Sequence, residues 1–127
     1  MSVFNSMYNR AVWFDIPVCD LDRAASFYRA VLGVRVEQEK FGDTALCVIE
    51  HDQGNGGCLV VDEAEISGSG VLVYLNVNGR IQDAVSKVVP NGGTLIRPVH
   101  AIGRFGFRAI VIDSEGNRVA LHSESDR

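Results

Sequence analysis

Asp15, Cys58 and His122 carry the side chains best suited to chemistry in this chain. Asp15 with His122 has the residue types of an acid–base pair, and Cys58 with His122 those of an activated thiol. Together they could ligate zinc through a carboxylate, a thiolate and an imidazole. Each reading has a plainer counterpart. Residue types alone do not fix geometry, and a small Cys packs as an apolar residue. Arg108 and Arg118 are planar cationic forks that can grip a carboxylate or phosphate, or simply flank a solvated surface. Trp13 and Tyr74 offer flat faces for an aromatic ligand. His51 and His100 fall in segments that read as loops, without metal-spaced partners.

These residues depend on strands and helices to bring them together. Residues 11–18 alternate as a strand, with Phe14, Ile16 and Val18 on one face and Trp13, Asp15 and Pro17 on the other. Pro17 lacks an amide donor and so predicts an edge or a strand end. Asp20 can cap a helix whose stripe is Ala24, Phe27, Tyr28 and Val31, closed by Gly33. Strands follow near 34–39, 44–50 and 58–61. The turn at Gln53–Gly57 precedes a strand, so it reads as a hairpin turn and not a phosphate-binding loop. After a polar connector at 62–70, residues 71–77 form a strand. Asn78 can cap a second helix with the stripe Ile81, Ala84, Val85 and Val88. Strands near 94–97 and 106–112 and a final hairpin strand ending at His122 complete the chain, with Pro98 and His100 in a loop. Phe105 and Phe107, beside Gly103 and Gly106, form a loop that can close over a cleft or pack in a hairpin.

The order repeats. Ile16 and Val18 match Leu75 and Val77 at an offset of 59, and Gly54-Asn55 matches Gly116-Asn117 at 62, which sets Cys58 against Ala120. In each comparable strand one face is apolar: Phe14, Ile16, Val18, Leu59, Val61, Val73, Leu75, Val77, Val119 and Leu121. Two amphipathic helices need such a surface. The opposite set is mixed, as a binding cleft is: apolar walls with a few orienting polar groups.

Composition narrows the classes. The chain has 127 residues, 46% of them hydrophobic, enough for one domain with a real core. The formal charge of −4 and the lack of a basic run argue against nucleic acid as a partner. Cys19, Cys47 and Cys58 form no CxxC pair, which fits reduced thiols in the cytoplasm. Met1 to Asn9 lacks the pattern of a secretory leader, and no apolar run reaches the roughly 18 residues of a membrane span.

FDIPVCDLDRAASFYRAVLG near the start and FGFRAIVIDSEGNRVALHS near the end resemble the vicinal oxygen chelate superfamily, the group of glyoxalase I, bleomycin-resistance proteins and extradiol dioxygenases. The resemblance covers about 11–123. It implies an α+β fold of two tandem βαβββ modules. Their curved mixed sheets would form a cleft, with helices on the outer face. Module one would span about 11–61 and module two about 71–123 of a single domain. In the superfamily's metalloenzymes, His and Glu from the first and last strands hold a divalent metal. Those positions align here with Trp13, Leu72, Cys58 and Ala120, so the resemblance implies no metal and no other cofactor.

The expectation is therefore a cytoplasmic homodimer, away from membranes. It would bind a small organic ligand in a metal-free cleft lined by Trp13, Asp15, Cys58, Leu72, Tyr74, Asn76, Arg118 and His122. The alternative is a lyase or isomerase of the glyoxalase I type, using a displaced metal site from Asp15, Cys58 and His122 or metal-free acid–base chemistry. A third reading makes the mixed face a contact between copies.

Overall fold

Two helices lie against two four-stranded sheets in the computed structural model, which describes residues 8–127. The reading of Met1 to Asn9 as lacking a leader falls, up to residue 7, outside the described residues. Module one contains β1 (Trp13–Val18), α1 (Leu21–Leu32), β2 (Val36–Phe41), β3 (Thr44–Ile49) and β4 (Gly56–Val61). Module two contains β5 (Val73–Asn76), α2 (Ile81–Ser86), β6 (Thr94–Ala101), β7 (Phe107–Ile112) and β8 (Arg118–Ser123). The strand orders are β1-β4-β3-β2 and β5-β8-β7-β6. β1 runs parallel to β4 and β5 to β8, while the other pairs are antiparallel. The fold is α+β with tandem modules, as the repeat and the resemblance implied. Pro17 lies on an edge strand, where its missing donor breaks no ladder.

Helix α1 forms as its sequence dictates. The Asp20 side chain accepts from the Arg23 amide at 3.0 Å, and Gly33 closes the helix in the left-handed region at φ +67°. Its stripe of Ala24, Phe27, Tyr28 and Val31 is wholly buried. Ile81, Ala84 and Val88 bury the matching face of module two. The apolar strand face packs under both helices in one core, which holds Ile16, Val18, Leu59, Leu75, Val77, Val119 and Leu121. Val61, at the end of β4, departs from this pattern and is exposed.

Several boundaries differ from expectation. Asn78 does not cap α2. Its side-chain oxygen is occupied by the Glu124 amide at 2.7 Å, and Arg80 stands at the cap position without a capping bond. β5 begins at Val73, so Leu72 precedes the strand. β6 continues through Pro98 and includes His100, which the loop reading missed. An edge strand tolerates the proline, and the β6–β7 register shifts on either side of Arg97.

The modules are joined through the β7–β8 turn. Buried Asp113 accepts the amides of Glu115, Gly116 and Asn117 at 2.8, 2.9 and 2.9 Å on one oxygen. Its other oxygen accepts the Tyr28 hydroxyl at 2.6 Å from α1. Asn117 Nδ2 donates to the Pro17 carbonyl at 2.7 Å. Glu115 accepts the Cys19 and Asp20 amides at 3.1 and 2.9 Å and Arg23 Nε at 2.7 Å. Burial, then the Asp113 charge, pushes the Tyr28 hydroxyl well above the usual phenol range, so it stays a donor.

Two outcomes follow from this junction. Tyr28→Phe leaves a buried carboxylate short of a donor and should cost about 1.5–3 kcal/mol in urea unfolding. Burial pushes the Glu115 carboxyl up, but hydrogen bonds from Arg23, the Asp20 and Cys19 amides and Ser114 outweigh it and hold it at about 2. A folded-state value below the ordinary 4.5 stabilises above that pH, and the gain is lost as pH falls toward about 2. Thermal unfolding followed from pH about 5 to about 2 should therefore show a loss that is smaller in Glu115→Gln.

Candidate functional site

Strand alternation sends one face of each sheet to the helices and leaves the other open. Register then aligns residues in rows. In module one, Asp15, Cys58, Val48 and Glu37 lie side by side on the open face. In module two, one row is Tyr74, Ala120, Ile110 and Arg97, and the next is Asn76, His122, Arg108 and His100. Seven of the eight expected residues belong to these faces, and Leu72 stands just before β5. The pairing of Asp15 with Cys58 and of Tyr74 with Ala120 makes Cys58 and Ala120 equivalent, as the repeat predicted.

In module one, the Trp13 indole donates to Cys58 Sγ at 3.4 Å, and Cys58 Sγ donates to Asp15 Oδ1 at 3.2 Å. His51 joins this group, its ring edge-on to Trp13 with centroids 5.5 Å apart. A Cβ on Gly56 would lie 2.6 Å from the His51 Cβ, so a glycine there lets the His51 side chain fold close over β4. No loop signal foretold that contact. Burial pushes the Cys58 thiol up to about 11; the bond to Asp15 and its charge add to this, and only the Trp13 bond opposes it. At neutral pH Cys58 is a thiol, not an activated nucleophile.

In module two, His122 Nε2 lies 2.6 Å from the Phe105 carbonyl, and since a carbonyl only accepts, the proton is on Nε2. The acid–base pair of Asp15 with His122 and the thiol pair of Cys58 with His122 are thus not formed. Asp15 bonds Cys58, while His122 bonds the loop before β7. Nor do the three form a displaced metal site: among the described residues no group of three His, Cys, Asp or Glu is placed to hold a metal ion. The Phe105 segment contacts the site through its carbonyl, while the Phe105 ring is exposed.

Arg108 Nε donates to His100 Nε2 at 3.0 Å, and Arg108 Nη1 bonds the Tyr74 hydroxyl. Arg118 Nη2 donates to the Gly70 carbonyl at 3.2 Å. Shallow depressions divide the expected residues. One of about 140 Å³ beside the connector holds Asp15 and Arg118; one of about 430 Å³ holds Tyr74 and Asn76; one of about 230 Å³ holds Asn76 and His122.

Residues 10–49 match the family model described as bleomycin resistance protein-like N-terminal. Among solved structures, a glyoxalase/bleomycin resistance protein from Albidiferax ferrireducens T118 superposes with a TM-score of 0.72 at 16% identity, over 91% of this chain and 98% of that one. A glyoxalase-related enzyme from Fulvimarina pelagi gives 0.68 at 18% identity, over 91% and 88%. The genomically encoded fosfomycin resistance protein FosX from Listeria monocytogenes gives 0.67 at 11% identity, over 91% and 93%. The chain has the vicinal oxygen chelate fold. No curated protein sequence matches it. Within this vicinal oxygen chelate fold, the family match spans β1 to β3 of module one.

Thiol reactivity checks the module-one geometry. At about pH 8, iodoacetamide should modify exposed Cys19 first. Cys58 should react far more slowly, accelerating as pH approaches about 11. Peptide mass spectrometry over time reads the order, and equal rates at Cys58 and Cys19 would contradict it.

Proposed function

We propose that the open faces of the two sheets bind a small organic ligand without a divalent metal. The supporting observation is Ala120. It has no exposed surface, and the resemblance aligns it with a metal-binding Glu. A methyl group offers a metal nothing. The other aligned positions agree: Trp13 has an N–H donor and no free lone pair in the ring plane, Leu72 is a hydrocarbon, and Cys58 is a protonated thiol bonded to Asp15. The residues present do not fit the superfamily's usual metal. They do fit an organic ligand, with Trp13 and Tyr74 as flat surfaces and Asp15, Asn76, Arg118 and His122 as polar groups. Likeness to a fosfomycin resistance protein and to a glyoxalase-related enzyme supports a small metabolite or antibiotic as ligand. The resemblance supports a homodimer, and three cysteines without a CxxC pair support reduced thiols in the cytoplasm.

A metal-free lyase or isomerase is the second reading. Its support is His122: with the proton held on Nε2 by Phe105, a neutral ring presents the Nδ1 lone pair as a base.

A thermal-shift screen of metabolites and antibiotics tests the first reading. A ligand at a hundredfold excess over its Kd stabilises by about 2.7 kcal/mol. Hits should lose that shift in Trp13→Ala and Tyr74→Ala, and elemental analysis should find well under one divalent metal per chain. Stoichiometric zinc, nickel or iron, lost in His122→Ala, would overturn the metal-free reading. Turnover of a hit, abolished in the same variant, would favour the enzyme.

A further inference from the structure

Arg108 is held in place on both sides, yet among the described residues no acid pairs with it. His100 Nδ1 lies 2.8 Å from the Pro98 carbonyl and therefore carries a proton. Its Nε2 then presents a lone pair, which accepts Arg108 Nε at 3.0 Å. Tyr74, on the edge strand β5, accepts from Arg108 Nη1, and the Arg108 Cζ stands 5.9 Å from the Tyr74 ring centroid. The guanidinium is thus gripped from β6 and from β5, although it springs from β7 between them.

A guanidinium has five N–H bonds, and these contacts use two. Three remain, on Nη1 and Nη2. Among the described residues the ion pairs within 4.0 Å are made by Arg23, Arg35, Arg80 and Lys87. Arg108 makes none. An ordinary surface arginine keeps its rotamer freedom in water, and fixing it costs side-chain entropy. Here two neutral acceptors fix a half-buried cation without discharging it. That is the arrangement of a preorganised oxyanion receptor, because the ordering is complete before the anion arrives. The Tyr74 hydroxyl, having accepted from Arg108, keeps its own proton to donate.

We propose that Arg108 anchors the oxyanion of the ligand, a carboxylate or phosphate, on the open face of module two, and that His100 and Tyr74 position it. The proposal rests on the ligand-binding reading above and specifies its ligand as an organic anion. The body of the ligand then lies along Tyr74, within reach of the Asn76 and His122 row.

Matched probes separate the proposal from that reading: phenylacetate, phenyl phosphate and uncharged phenylacetamide. Each is titrated into the full-length wild-type protein and into Arg108→Gln, Arg108→Lys and His100→Ala. Calorimetry gives Kd, and amide NMR shifts give the place of binding. At least one anion should bind tenfold or more tightly than the amide and shift the amides of Tyr74, Arg108 and His122. The tighter anion identifies a planar or a tetrahedral oxyanion as the chemistry served. Arg108→Gln should weaken that anion at least tenfold and leave the amide unchanged. Arg108→Lys, which retains charge without the fork, should fall between. His100→Ala should weaken the anion several-fold while the NMR spectrum stays native, an outcome that a purely structural histidine would not produce. If all three probes bind the face equally and Arg108→Gln changes nothing, the anion proposal falls and the ligand-binding reading stands. If no probe shifts these amides, both fall.

Discussion

The structure depends on one buried carboxylate. Asp113 takes three backbone amides of its own turn on one oxygen and a tyrosine hydroxyl from the other module on the second. A buried charge is tolerable only when its lone pairs are satisfied, and here a tight turn and a helix satisfy them together. The amide nest of the turn is built on Asp113, and the second Asp113 oxygen is satisfied by Tyr28 together with Asn117 Nδ2 at 3.1 Å. Local hairpin geometry and the docking of the modules are therefore one event. Glu115 extends it outward, receiving two amides and a guanidinium from the start of α1. Because these bonds fix α1 against the β7–β8 turn, they also fix the angle between the two open sheet faces.

Those faces are chemically unlike. Module one presents carboxylates from Asp15, Glu37 and Glu39, with the Cys58 thiol held between Trp13 and Asp15. Module two presents Arg97, Arg108 and Arg118 with His100 and His122. The net charge of −4 conceals this division, since it sums over both halves. A ligand meeting the site experiences the local field, which inside about a Debye length of 8 Å is set by the nearest groups. Two modules of one architecture thus offer opposite charges, and the structural repeat gives no symmetry to the chemistry.

Much of the fold was legible because it rests on periodicity. The stripe Ala24, Phe27, Tyr28, Val31 and the alternation of Ile16 and Val18 with Asp15 and Pro17 encode burial directly. Asp20 and Gly33 are local signals, read within a few residues. The misreadings share a different cause. Asn78 had the right type for a cap, but the distant Glu124 amide occupies its oxygen. Pro98 marks a break in the local pattern around His100, and only its position on an edge strand makes that proline harmless. His51 entered the site by folding over Gly56, a contact that depends on tertiary shape. The open faces were legible as a set of residues, since alternation defines them. Which members bond one another was not, because Arg108, His100 and Tyr74 come from three strands whose register no short-range pattern states.

Ala120, which the resemblance aligns with a metal-binding Glu, also lies beside the cation. It pairs with Tyr74 on one side and Ile110 on the other, and Arg108 is its diagonal neighbour on the adjacent strand. Diagonal neighbours on one face lie roughly 7–8 Å apart, within reach of long side chains. A glutamate at 120 would meet the Arg108 guanidinium and discharge it, whether or not a metal were near. A methyl group there does the reverse: it removes a ligand for a metal and leaves the arginine unpaired. On the metal-free reading proposed above, the methyl group that offers a metal nothing is also what leaves the Arg108 guanidinium unpaired. Arg108, pinned by neutral acceptors, is then a fixed positive centre on this face, and the methyl group of Ala120 leaves it undischarged.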